Sequence, residues 1–100
     1  MDEELKSRWI SALRSGTYKQ GTSFLRKKNG KYCCLGVLAN LCEEEWHLDT
    51  HYYDVYSVLG SCSIYGETVG LTQNQIEQLS GMNDDGLNFN QIANWIERNV

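Results

Sequence analysis

Residues 71–100 carry the same helix-start signal twice, and this repeat constrains the fold more than any other feature of the sequence. Thr72 and Gln75 form a capping box, in which each side chain satisfies a backbone N–H that the first helical turn leaves without a partner. Leu71 and Ile76 supply its hydrophobic staple. Asn88 and Gln91 repeat the box, with Leu87 and Ile92 as the staple. Helices over 73–82 and 89–99 follow, with Ile76, Leu79 and Met82 on the apolar side of one and Phe89, Ile92, Ala93 and Ile96 on that of the other. Asn83-Asp84-Asp85-Gly86 breaks the chain between them, so this end must form a packed helix pair.

The other end starts in the same way. Leu5, Trp9, Ala12 and Leu13 recur at helical spacing over 2–15. Asp2, Glu3 and Glu4 suit the positive end of the helix dipole, and Gly16 suits the position after its last turn. Lys28-Asn29-Gly30-Lys31 then predicts a hairpin with a two-residue type I′ turn, its first arm over 22–27 and its return arm starting at Tyr32. Cys34, Leu35, Leu38, Leu41 and Cys42 share one face of a helix over 34–45. Gly36 lies in that helix at a cost of about 1 kcal/mol relative to Ala, which marks close approach of another backbone. Residues 46–70 are rich in Tyr and Val, and a second hairpin is expected there from arms near 52–58 and 62–66. The sum is a single α+β domain over 1–100. About four helices pack with a small antiparallel sheet of one or two hairpins, around Trp9, Leu13, Leu35, Leu38, Leu41, Ile76, Leu79, Ile92 and Ile96.

Charge is distributed unevenly. Eight of the nine Lys and Arg residues fall within residues 1–31, while ten of the thirteen Asp and Glu residues follow them. The overall charge of −4 conceals a basic first third and an acidic remainder. A basic patch on such a molecule attracts a compact anion, whereas the whole molecule repels a long polyanion. The acidic remainder also weighs against DNA. The 71–100 helix pair has the look of a helix-turn-helix, but it offers Arg98 against Glu77, Asp84, Asp85 and Glu97, and phosphate neutralisation dominates DNA affinity. No apolar run reaches the ~20 residues that span a bilayer, and the opening MDEELKSR has no signal-peptide pattern, so cytoplasmic residence is expected.

Three catalytic or metal readings each meet a plainer structural one. Cys33, Cys34, Cys42 and Cys62 contain no CxxC pair, which argues against zinc; reduced, mostly buried thiols are expected. Neither Cys33 nor Cys34 has a general base nearby in sequence, and His47 and His51 qualify by composition only. Placing Gly86 at the sixth position of a calcium loop puts Gly81 first and Ile92 last, where oxygen ligands are needed. No catalytic residue, metal or cofactor is assigned.

The stretch from Arg14 to Lys31 is the candidate binding surface. Cations interleaved with Tyr18 and Tyr32 offer charge pairing and stacking to a nucleotide-like anion; the plain alternative is a solvated hairpin whose lysines guard a sheet edge. On the first reading Arg14, Tyr18, Gln20, Arg26 and Lys27 contact phosphate and polar groups. Tyr32 or Tyr53 stacks on a base, and Asn83 or Asp84 reads a ribose or base edge.

WISALRSGTYKQG, YCCLGVLANL and LTQNQIEQLSGMNDDGLNFNQIANWIE together resemble a family of small proteins encoded by bacteriophages. Its usual form has a Trp-containing helix ending in Leu-Arg-Ser-Gly, a Cys-Cys-Leu-Gly-Val-Leu helix and an Asn-Asp-x-Gly-x-x-Phe-x-x-Ile-Ala ending. The resemblance covers both ends and leaves 46–70 unmatched. It carries no activity or site residue, but it implies the cytoplasm of an infected bacterium, where small accessory proteins counter host defence. The expected function is sequestration of a small anionic, nucleotide-like signal without catalysis. The rival is inhibition of a host protein through the Tyr-rich middle. Homo-oligomerisation is compatible with the first, since such sites can lie between subunits.

Overall fold

The computed structural model describes residues 1–42, 46–48, 55–58 and 70–100. Helix α1 spans Glu3–Arg14; strands β1, β2 and β3 span Lys19–Gln20, Arg26–Lys27 and Lys31–Tyr32; helix α2 spans Cys34–Leu41. Strands β4 and β5 cover Trp46–Leu48 and Val55–Val58, and helices α3 and α4 cover Gln73–Asp84 and Phe89–Asn99. The domain is α+β, as its sequence predicts.

The helices begin where side chains can satisfy their first N–H groups. Asp2 caps α1 by accepting from the Leu5 N–H at 2.9 Å. Both capping boxes are complete: Thr72 Oγ1 accepts from the Gln75 N–H at 3.1 Å, and Asn88 Oδ1 from the Gln91 N–H at 2.9 Å. Helix α3 ends in a Schellman turn, with Gly86 at φ +102° and the Leu87 N–H donating to Met82 O at 3.1 Å. Cys33 caps α2 through its sulfur, which accepts from the Gly36 N–H at 3.4 Å.

Helix α1 packs on α2 and α4, and α3 packs on both α2 and α4. Trp9 is fully buried at the first of these contacts, and its indole N–H donates to Cys34 O at 2.9 Å. Every predicted core residue is buried except Leu41, which is half-exposed because α2 ends there. Gly36 sits under the chain leading into β2. A Cβ at that position would lie 1.8 Å from Leu25 O, which is the close backbone approach its sequence position predicts.

The sheet departs from expectation in three ways. Its order is β1-β3-β2-β5-β4 and it is mixed, because β1 runs parallel to β3. The β2–β3 loop is Lys28-Asn29-Gly30, one residue longer than a type I′ turn. The Gly30 N–H donates to Lys27 O at 3.0 Å and Gly30 alone takes positive φ, +87°, the signature of a type I turn with a G1 bulge. Strand β5 pairs antiparallel with β4, upstream of it; the expected arm near 62–66 lies outside the described residues.

Candidate functional site

Registers of the short strands sort the basic region into two faces. Side chains alternate along a strand, so Tyr18, Gln20, Tyr32 and Arg26 share one face. The contacts agree: the Tyr18 and Tyr32 rings meet edge-to-face at 5.0 Å, and the Arg26 guanidinium carbon lies 5.4 Å from the Tyr32 ring centre. This is the inner face, half-buried against the helices. Tyr18 accepts from Asn40 Nδ2 at 2.8 Å, which joins it to α2.

Asn83 anchors the inner face. Its side chain is buried, 1% exposed, in line with Ile76 and Leu79 on the inward side of α3. Its Oδ1 accepts from Gln20 Nε2 and from the Cys34 N–H, both at 3.1 Å, and its Nδ2 donates to Gly21 O at 2.7 Å. One amide thus ties β1, the chain just after it and the start of α2 to α3. Gln20 Nε2 also donates to Leu87 O at 2.7 Å. Asn83 and Gln20, both expected at the ligand, are tied into the fold: Asn83 is buried with both amide atoms bonded to protein, and Gln20 Nε2 donates to two protein acceptors.

Other expected site residues are also engaged. Asp84 is exposed, and its Oδ1 accepts from the Ser23 N–H at 2.8 Å, holding Ser23 at the strained φ of +73°. Arg14 bonds to α4, donating to Asn94 Oδ1 at 2.7 Å and pairing with Glu97 at 2.6 Å. That pairing lowers the Glu97 carboxyl below its ordinary range through the hydrogen bond and charge of Arg14. Arg14 also borders an open groove of about 300 Å³ between α1 and the end of α4, shared with Lys6, Ser7 and Ser11. Tyr53 lies outside the described residues.

The outer face carries the lysines. Lys19 on β1 is the register partner of Lys31 on β3. The Arg26–Tyr32 register of the β2–β3 pair sets Lys27 across from Lys31. Lys28 continues into the turn, and Lys19, Lys28 and Lys31 are exposed. Only Lys27 of these was expected at a site. Lys19 and Lys31 are twelve positions apart, and without the parallel β1–β3 register nothing in the sequence brings them together.

Cys33 and Cys34 are placed as core thiols. Both are buried and free, and burial pushes both above the ordinary thiol value, Cys34 most strongly. A thiol held protonated is a poor nucleophile and a poor metal ligand. Among the described residues no group of three or more His, Cys, Asp and Glu side chains is placed to hold a metal ion, and no helix is long and apolar enough to cross a membrane.

A small α+β domain with an aromatic inner sheet face and a lysine-bearing outer one is thus the class of object. The family described as Domain of unknown function (DUF8296) matches residues 1–63, and the chain belongs to it. The match takes in α1, α2 and all five strands, whereas α3 and α4 lie beyond it. No curated protein and no solved structure matches the chain.

Proposed function

We propose that the protein binds a compact anionic, nucleotide-like ligand without catalysis. In the phage setting that the motif resemblance implies, it acts by sequestering such a signal in the host cytoplasm. One observation carries this reading: Lys19, Arg26, Lys27, Lys28 and Lys31 gather on three adjacent short strands and the turn between two of them. Their charge is concentrated at one end of the sheet, and none of the four lysines has an ion-pair partner among the described residues. Buried thiols and structurally engaged amides favour binding over chemistry in this region.

Calorimetry against cyclic dinucleotides and ADP-ribose derivatives tests it. Sequestration requires at least one Kd below about 10 μM, near −7 kcal/mol. If none binds that tightly, and the protein instead retains a host protein in stoichiometric amount from lysate, the inhibitor reading replaces this one.

A further inference from the structure

On the reading that the basic end of the sheet binds an anion, we propose that the binding surface is the outer face. There Lys19, Lys31 and Lys27 form a three-point clamp for linked phosphates, and the ligand is recognised through its diphosphate or longer phosphate chain rather than through its base. Three observations lead here.

The first is the row itself. Lys19 and Lys31 are register partners on β1 and β3, and Lys27 faces Lys31 from β2. Neighbouring strands lie about 4.8 Å apart, so the three Cα atoms span roughly 10 Å across the sheet. Two adjacent ammonium groups can share one phosphate, while three in a row fit two phosphates joined through a bridging oxygen. Lys28 extends the positive field at one end.

The second is the position of the row within the sheet. A lysine on an edge strand guards against edge-to-edge pairing, which would account for Lys19 on β1. It does not account for Lys31 and Lys27, because β3 and β2 are interior strands of the order β1-β3-β2-β5-β4. Like charges directly across from one another weaken a sheet. An anion laid over the row reverses that repulsion.

The third is Gly21. It follows β1, two residues after Lys19, and a Cβ there would lie 2.8 Å from the Lys31 Cβ. The missing side chain leaves room for the Lys31 stem beside Lys19. The aromatic residues of the region, Tyr18 and Tyr32, meet each other on the opposite face. The lysine row therefore offers charge without a stacking partner among the described residues, which makes the phosphates the recognised part.

The test is calorimetry of the intact protein at fixed ionic strength with inorganic phosphate, pyrophosphate, tripolyphosphate, ADP and UDP. Affinity should rise from phosphate to pyrophosphate to tripolyphosphate, and ADP and UDP should agree within about threefold. Lys19→Gln and Lys31→Gln should each weaken pyrophosphate binding about tenfold or more, the scale for losing one charge-assisted bond. Arg8→Gln, an exposed cation on α1, should leave it unchanged. Both lysines are exposed, and melting temperatures no lower than wild type would show that the variants fold. Pyrophosphate binding that survives both lysine changes, or that falls equally with Arg8→Gln, overturns the clamp. So does a nucleotide signal that binds tightly while pyrophosphate does not, an outcome that leaves the proposed function standing. If none of these phosphates and no nucleotide signal binds, both fall.

Discussion

The two faces of one small sheet carry similar residues and use them differently. On the inner face, Arg26 lies against Tyr32, Tyr32 against Tyr18, Tyr18 bonds Asn40, and Gln20 bonds Asn83. On the outer face, Lys19, Lys31 and Lys27 stand side by side with no ion-pair partner among the described residues. Polar groups that leave water need a bond in return, so the inner face is bound into the fold. Lys19 and Lys31 are exposed and have no such requirement. Changes on the inner side should therefore damage stability, and changes on the outer side should spare stability and damage binding.

The largest expected effect is at Gly36. Helix propensity alone predicts that Gly36→Ala stabilises by about 1 kcal/mol. The added methyl would sit 1.8 Å from Leu25 O, a backbone atom that cannot swing aside. Overpacking of this kind costs about 3 kcal/mol or more once the helix must shift, so the clash wins. A lowered urea midpoint is expected; a raised one would mean that α2 and the chain at Leu25 are not in contact.

Asn83→Ala comes next. It leaves the Cys34 N–H and Gly21 C=O without their side-chain partner in a buried position, at about 1–3 kcal/mol for each group. A loss near 3 kcal/mol in chemical denaturation is expected. Asn83→Asp would keep acceptors for Cys34 and Gln20 but set an oxygen against Gly21 O, and should be at least as damaging. Wild-type stability in either variant would detach α3 from the inner face.

Cys34 gives the inner side a pH dependence. Its thiol is raised from an ordinary value of 9.0 mainly by burial. The folded state then holds a proton that the unfolded state releases. The contribution is fully present below 9.0 and declines as pH climbs beyond it toward the raised folded value. The denaturant midpoint should fall between pH 8 and pH 10, and Cys34→Ala should flatten that fall. A slope identical in the two proteins would show that the thiol is not shielded from water.

The same contrast explains what could be read in advance. Caps act over three residues, so both boxes and the starts of α3 and α4 are legible in the sequence, whereas α3 runs on to Asp84, two residues past the expected end. The Asn29-Gly30 turn was visible too, but not its type, because a third residue, Lys28, joins the loop. Asn83 left a signal in its position on the Ile76–Leu79 stripe, where a polar residue implies a buried partner. The lysine row left none. Strands of two residues show no alternation, and a parallel pairing between residues 19–20 and 31–32 follows from tertiary packing alone.

The smallest effect on stability bears most directly on the outer face. Lys31 stands between Lys19 and Lys27, so Lys31→Glu replaces two like-charge neighbours with two opposite ones. Each cross-strand charge pair contributes about 0.2–1 kcal/mol, so a net gain near 0.5 kcal/mol is expected despite a shorter side chain over Gly21. For a domain of this size that raises Tm by about 2–4 °C. The gain should shrink in 1 M salt, where the screening length falls to about 3 Å. An unchanged or lowered Tm at low salt would mean that the three ammonium groups are too far apart to repel. They would then also be too far apart to close on one phosphate chain, so a melt without any ligand probes the geometry on which the clamp depends.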